Sequence, residues 1–282
     1  MLKIALPNKG SLSEESLELI RDAGYRCRRY GKELIVRDPD NDVEFVFLRP
    51  RDIAVYASSG IIDLGITGRD LVRDSRADLA ELLPLGFGKS RFCYAVPRDS
   101  DLTPGGLDGL RIATSYPHLV QQDLECRGQS ARLVQLDGAV EIAIRLGVAD
   151  AVADVVQSGR TLEQAGLKTV GASILDSEAV LVGRTPDAAK QGKARRFLDR
   201  VRGIVVAREY AMVEYDIAEP LLELACVLTP GIEAPTVAPL SRQGWLAVKA
   251  MAPKRDLNGV MDELAKLGAK GIIVTDIRTC RI

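Results

Sequence analysis

Short apolar runs alternate with polar turns and with segments of helical period along most of the chain. Residues 2–6 predict a buried strand, stopped by Pro7-Asn8-Lys9-Gly10. Ser11 then fits a helix N-cap, with Glu14 completing a capping box. Leu12, Leu17, Ile20 and Ala23 follow at helical spacing, and Gly24 ends the helix. The pattern repeats with a strand over 43–48 and a helix opened by Pro50 that runs to Gly60. A strand over 61–67 turns at Gly68-Arg69-Asp70 into the next helix. Strands over 91–97, 111–114 and 131–136 come next, with helices over 118–127 and from Asp137-Gly138 to Gly147. The run Ala151-Val152-Ala153-Asp154-Val155-Val156 leads into Gln157-Ser158-Gly159-Arg160-Thr161 and another helix start. A strand over 177–184 and a long helix over 187–208 complete this part. Strand–turn–helix repetition of this kind predicts an α/β body, read here as two small lobes joined by crossing strands.

The pattern changes near residue 210. Strands are predicted over 210–216, 245–251, 270–275 and 277–281, with helices over 219–228 and 256–267 and a Pro-rich loop over 229–239. The order suggests a ferredoxin-like β-α-β-β-α-β unit. At about seventy residues, such a unit is stable as a separate domain only if it docks or oligomerises. It contains no phosphate-binding turn, so regulation or assembly suits it better than catalysis.

Composition narrows the classes. The 282 residues are 46% hydrophobic, enough for a substantial core. With 38 Lys+Arg against 39 Asp+Glu the net charge is −1, which argues against a broad nucleic-acid surface but leaves room for anionic small molecules. The five cysteines lie far apart without a C-x-x-C spacing and read as small buried residues of a reducing cytosol. A single histidine, His118, excludes a His-based metal cluster. No apolar run is long enough to span a membrane, and the polar turn at Asn8 is too early for a signal peptide. The expectation is a soluble cytoplasmic protein with no membrane partner.

Candidate chemistry gathers where strands run into helices, the edge at which open parallel sheets bind ligands. In Ser158-Gly159-Arg160-Thr161 the glycine admits close backbone approach, two hydroxyls are at hand, and free N–H groups follow, which makes a phosphate cradle. Asp154 suits a sugar diol or a hydrated Mg²⁺; an ordinary strand end with a Gly turn reads equally well. Lys9 sits in a strand–loop–helix turn suited to an anion, or is a solvated loop lysine. Arg49, Thr67, Gly68 and Asp70 fall at carboxyl ends of strands, and Arg51, Arg69 and Arg73 read as ligand-facing or as solvated helix charges. Tyr116 could stack on a base or simply pack. Glu141 could reach a ligand or stabilise its own helix start. His118 is most simply a surface or capping residue, since a catalytic base lacks an evident partner here.

Five stretches together resemble the long form of the ATP phosphoribosyltransferase family, the first enzyme of histidine biosynthesis. They are Pro7-Asn8-Lys9-Gly10, Leu48-Arg49-Pro50-Arg51-Asp52-Ile53, Asp63-Leu64-Gly65-Ile66-Thr67-Gly68-Arg69-Asp70, Ala153-Asp154-Val155-Val156 with Ser158-Gly159-Arg160-Thr161-Leu162, and the segment 269–278. The resemblance covers essentially the whole chain. It departs at His118, where an Asn usually follows Tyr-Pro, and phosphoribosyltransferases of another fold carry paired acids where this chain has Ala153 and Asp154.

The resemblance implies a two-lobed, periplasmic-binding-protein-like catalytic body plus a C-terminal ferredoxin-like (ACT-like) regulatory domain. On that reading lobe I spans 1–90 and regains the chain at 185–209, lobe II spans 91–184, and the regulatory domain spans 210–282. It implies transfer of 5-phosphoribosyl from phosphoribosyl pyrophosphate (PRPP) to N1 of ATP, with Mg²⁺ and release of pyrophosphate. Asp154, Val155, Val156, Ser158, Gly159, Arg160 and Thr161 would hold PRPP; Lys9, Gly10, Arg49, Gly68, Asp70 and Tyr116 would hold ATP. Lys9, Arg49, Glu141 and Asp154 are the catalytic candidates, with Arg69 a further charge for the leaving group. No metal-ligand set is assigned: substrate phosphates would hold most of the Mg²⁺, with Asp154 available. Feedback inhibition by histidine is expected at Asp216, Thr236 and Gly271, in a homo-oligomer of dimers and hexamers. The rival reading is a cytosolic two-lobed solute-binding or ligand-sensing protein, because fold alone does not decide function.

Overall fold

The computed structural model describes residues 1–281, which divide into two compact units. The first comprises Met1–Arg21 with Tyr25–Leu198, and the second Asp22–Gly24 with residues 199–281.

The first unit opens with β1 (Leu2–Pro7), α1 (Ser11–Asp22), β2 (Ile35–Asp38), β3 (Val43–Leu48), α2 (Pro50–Ser58), β4 (Leu64–Gly68), α3 (Arg69–Ser75) and β5 (Ala80–Pro84). The chain then crosses to a second sheet through β6 (Ser90–Pro97), β7 (Arg111–Thr114), α4 (Pro117–Cys126), β8 (Arg132–Gln135), β9 (Ala151–Val156), α5 (Arg160–Gln164) and β10 (Leu167–Ser177). It returns with β11 (Ala179–Gly183). The first sheet has the order β2-β3-β1-β4-β11-β5 and the second β10-β6-β9-β7-β8. β1 runs parallel to β3 and β4, and β7 parallel to β8 and β9, so the turns after β1, β3, β4, β7 and β9 lie at carboxyl edges. The strand 179–183, which the 91–184 span assigns to the second lobe, pairs antiparallel with β4 and β5 in the first sheet. Only Glu178 separates the two sheets at that crossing, whereas 85–89 makes the other. The two crossings are pinned to each other: Leu85 N–H donates to Ala179 O and Ala179 N–H to Phe87 O, both at 2.9 Å.

Packing is tight behind β4. Ile4, Ala5, Ile53, Leu64, Ile66 and Leu181 are fully buried there. A Cβ on Gly65 would lie 2.5 Å from Ile53 Cγ2, so the glycine lets α2 settle directly on the sheet.

Sequence and structure differ at several elements. β2, β5 and β10 are not visible in the hydrophobic pattern. β2 and β5 are edge strands with exposed positions, and β10 is interrupted by an irregularity between Val170 and Leu175. The helix expected from Asp137-Gly138 to Gly147 is a single 3-10 turn, Val140–Ile142, followed by turns. Ala139 there has φ +50°, and Ile142 and Leu146 stay exposed, so only a short apolar stripe is available to hold a helix down.

The second unit begins within α6 (Gly192–Glu209), which carries the chain out of the first. It contains β12 (Tyr210–Ala218), α7 (Leu222–Leu228), β13 (Thr236–Pro239), β14 (Trp245–Pro253), α8 (Leu257–Leu267) and β15 (Lys270–Asp276). All strand pairs are antiparallel in the order β13-β14-β12-β15, the ferredoxin-like arrangement. Its fourth strand differs from expectation. Residues 277–281 form no strand, and the Pro-rich loop supplies β13 instead, an exposed edge that tolerates Pro239. The tail leaves the sheet because it packs on α6. Gly203, lacking a Cβ that would fall 2.1 Å from Cys280 O, accepts the Cys280 N–H at 3.4 Å.

Gly65→Ala should destabilise the first unit by about 1–3 kcal/mol, the usual cost of overpacking. Chemical denaturation monitored by circular dichroism would read it, and an unchanged midpoint would contradict the tight α2–β4 contact.

Candidate active site

β9 lies in the middle of the second sheet, between β6 and β7, with Ala151, Val152 and Ala153 fully buried. That burial fixes the strand, and the turn at its end opens a cavity of about 280 Å³. Glu141, Asp154, Val155, Ser158, Gly159 and Thr161 are among its lining residues. Gly159 has φ +78° with open space where a Cβ would stand, so the turn is left-handed at the point where a ligand would approach. No side chain caps α5. At five residues that helix has little dipole, so an anion would be held by the N–H groups and hydroxyls of the turn itself. Arg160 is exposed and does not line the cavity.

A neighbouring cavity of about 250 Å³ opens between the carboxyl edges of the two sheets. Lys9, Gly10, Gly68, Asp70 and Tyr116 line it, five of the six residues predicted to hold ATP. Arg49, the sixth, stands exposed just ahead of α2, and its neighbour Pro50 reaches the cavity instead. Val155 and Gln157 line both cavities, so the two adjoin at these residues. Gln157 was passed over in the sequence, where nothing separates it from an ordinary turn residue.

Acidic groups dominate the walls. Asp154 is half-buried and accepts its neighbour's Val155 N–H at 2.7 Å. Burial raises its pKa, with Glu141 and Asp70 adding to the rise and the Val155 N–H opposing it. Asp70 is buried and accepts the Ser177 hydroxyl at 2.7 Å, while its own N–H donates to Ser177 Oγ at 3.0 Å. Tyr116 stands beside this carboxyl, close enough for the two to interact electrostatically. Burial, then Asp70, drives the Tyr116 pKa far up, so the phenol stays neutral. A Cβ at Gly68 would lie 2.3 Å from Asp70 Oδ1, which explains the glycine there: the carboxylate folds back over it.

One turn further along α3, Asp74 accepts Arg51 Nη1 at 2.6 Å and the N–H groups of His118 and Leu119 at 3.0 and 3.1 Å. His118 Nδ1–H donates to Asp74 O at 2.7 Å, so the histidine belongs to the packing of α4 against α3 and not to the cleft. Arg51 also donates to Ser115 O at 2.7 Å and lies 4.9 Å from the Tyr116 ring centre. With the guanidinium over its ring and Phe92 against it at 5.1 Å between ring centres, Tyr116 is a fixed wall. Arg69 is similarly occupied. It pairs with Glu81 at 2.6 Å and Glu178 at 3.2 Å, which pushes its pKa up and removes it as a free charge for a leaving group.

Among the described residues no group of three or more His, Cys, Asp or Glu side chains is placed to hold a metal ion by itself. Asp154 and Glu141 do face one cavity, a donor pair that fits a divalent ion completed by ligand oxygens. In the second unit Asp216 lies on β12 beside Gly271 of β15, 3.8 Å from where a Cβ would stand. Thr236 is on β13, two strands away, so the three predicted effector residues are not gathered at one point.

The raised Asp154 pKa has a definite sign. A carboxyl that titrates higher folded than unfolded costs stability once pH exceeds the unfolded value, and the full cost is present above the folded one. Asp154→Asn should therefore raise the melting temperature at pH 7 and leave it unchanged at pH 3. A lower melting temperature at pH 7 would contradict the desolvation account.

Residues 49–203 match the family model described as HisG, ATP phosphoribosyltransferase, and residues 207–279 match the HisG C-terminal domain. The ATP phosphoribosyltransferase of Salinibacter ruber is 60% identical over 283 residues, covering 100% of both chains. That of Mycobacterium tuberculosis is 53% identical with the same coverage. Among solved structures, the ATP phosphoribosyl transferase (HisG:HisZ) complex from Thermotoga maritima aligns with TM-score 0.65 and 26% identity, over 73% of this chain and 99% of that one. Family models that together span both units, and relatives alike from end to end, place the chain in the ATP phosphoribosyltransferase family of histidine biosynthesis, in the long form that carries the C-terminal domain.

Proposed function

We propose that the chain brings PRPP and ATP together in one ternary complex, with PRPP on the turn after β9 and the adenine in the cleft beside it. The observation that carries this reading is the pair Val155 and Gln157, which line both cavities. A ribose anchored by its 5-phosphate at Ser158–Thr161 and an adenine against Tyr116 would meet there. The bond from ribose C1 to the pyrophosphate oxygen breaks with its electron pair leaving on pyrophosphate. The N1 lone pair of adenine forms the new bond to C1. Positive charge builds on the ribose ring as this happens, and Asp154 and Glu141 stand beside it. Lys9 neutralises phosphate on the cleft side. No covalent nucleophile is needed, so the rate comes from alignment and fixed charge.

Mg²⁺, when bound, would supply charge neutralisation for the departing pyrophosphate, with Asp154 and Glu141 the residues available to it. Histidine is assigned to the second unit as inhibitor, its ammonium group on Asp216. Such coupling between sites typically amounts to about 1–3 kcal/mol. Assembly into dimers and hexamers belongs to the same reading. The cytoplasm is the compartment it implies. In support, Cys27, Cys93, Cys126, Cys226 and Cys280 are all free, and among the described residues no helix is long and apolar enough to cross a membrane.

An ultraviolet time course with ATP, PRPP, Mg²⁺ and a pyrophosphatase tests the activity. The absorbance change should require both substrates, whereas tight binding of one ligand without turnover would favour a sensor on the same scaffold. Lys9→Met should lower kcat/KM by roughly 10²-fold, the usual loss for one preorganised donor. Asp216→Ala should turn over normally but resist histidine, and full retention of inhibition would displace the effector from β12.

A further inference from the structure

PRPP and ATP each bring three phosphoryl groups to this cleft, and the two cavities assigned to them are poorly equipped to receive that charge. Glu141 and Asp154 are the ionisable residues lining the turn cavity, and Lys9 and Asp70 those lining the cleft cavity. One cation thus faces three carboxylates. The 5-phosphate can rest on the neutral N–H groups and hydroxyls of the turn, but a di- or triphosphate arm ordinarily needs Lys or Arg.

A third cavity, of about 390 Å³, supplies them. It shares Gln157 and Ser90 with the cleft cavity and Val156 and Gln157 with the turn cavity, so all three meet at the residue after β9. Three cations line it: Arg69, Lys89 and Arg91. Arg69 is spent on Glu81 and Glu178. Among the described residues Lys89 and Arg91 have no ion-pair partner, although Asp176 and Glu178 share the cavity with them. Glu178 is held by Arg69, and Asp176 accepts the Ser173 hydroxyl at 2.8 Å.

The placement is also well defined. Arg91 is on β6 directly opposite Val156, the last residue of β9, so its backbone is fixed to the strand that ends in the phosphate turn. Lys89 lies in the crossing segment 85–89, which hydrogen bonds tie to the other crossing. Two unpaired cations, anchored beside a shared wall of the substrate cavities, have the chemistry of a polyphosphate site.

We infer that Lys89 and Arg91 form a polyphosphate subsite, contiguous with both substrate cavities, that holds either the triphosphate of ATP or the pyrophosphate arm of PRPP. The inference rests on the proposed ternary-complex reading.

The test is steady-state kinetics on the full chain with Lys89→Met, Arg91→Met and the double variant, each substrate varied against saturating amounts of the other. Loss of a charge-assisted contact should raise one KM about 10-fold or more. A rise for ATP with the PRPP value within twofold assigns the triphosphate, and the converse assigns the pyrophosphate arm. Arg91→Lys should recover part of the loss. Inorganic triphosphate and pyrophosphate serve as direct probes in titration calorimetry, and the Met variants should bind the relevant one more weakly. If both KM values and both probe affinities stay within twofold of wild type, the subsite is wrong. Should Arg91→Met fail to fold, Lys89→Met, in the crossing segment and exposed, still decides the question. Failure of wild-type turnover would instead sink the transferase reading, while the probe titrations would still report on the cation pair.

Discussion

Asp70 and Asp74 lie one turn apart on α3, and both are buried, so each must find hydrogen-bond donors or carry an uncompensated charge in the interior. The donors they find come from the second sheet and its helix. Ser177, which ends β10, donates to Asp70, and the N–H groups of His118 and Leu119, which open α4, donate to Asp74. A seven-residue helix from the first sheet therefore caps a helix of the second. Sliding α4 past α3 would strip both of these backbone donors from the buried Asp74 carboxylate. Leaving a buried charged acceptor without its donors typically costs about 1–3 kcal/mol or more, which favours this register between the two sheets.

The same constraint organises the chemistry. Because Asp70 is held by the Ser177 hydroxyl, its carboxyl group is fixed at the edge of the cleft. Asp154 and Glu141 bring two more carboxyls to the end of β9, where their proximity and burial push the Asp154 carboxyl upward. A reaction that builds positive charge on a sugar ring gains from such a surrounding, and one that expels a polyanion does not. Cations line the adjoining cavities, Lys9 in one and Lys89 with Arg91 in another. Fixed charges of opposite sign near the reacting bond need no reorganisation as it breaks.

Much of this was legible in the chain. The apolar run ending at Val156, the glycine at 159 and the hydroxyls around it identify the turn, because a buried central strand and a positive-φ glycine both leave local marks. Gly68 and Asp70 follow from the rule that ligands gather at strand ends, Lys9 from its strand–loop–helix turn and Tyr116 from its capacity to stack on a base, and the structure brings all four into one cavity. Other features depend on partners distant in sequence. Arg69 read as an available charge until Glu178, more than a hundred residues on, came beside it. His118 looked like a lone histidine because its partner is a backbone carbonyl of another helix. β13 was read as a Pro-rich loop, since an exposed edge strand ending in proline carries no hydrophobic alternation. The stretch 277–281 has alternation enough for a strand, yet packing on Gly203 wins.

The central claim is that both substrates must be present together before any bond breaks, since the two cavities meet at one wall. Initial-rate patterns address it directly. With ATP varied at several fixed PRPP concentrations, reciprocal plots should intersect to the left of the axis. Parallel lines, the signature of a covalent phosphoribosyl-enzyme formed before ATP binds, would contradict it.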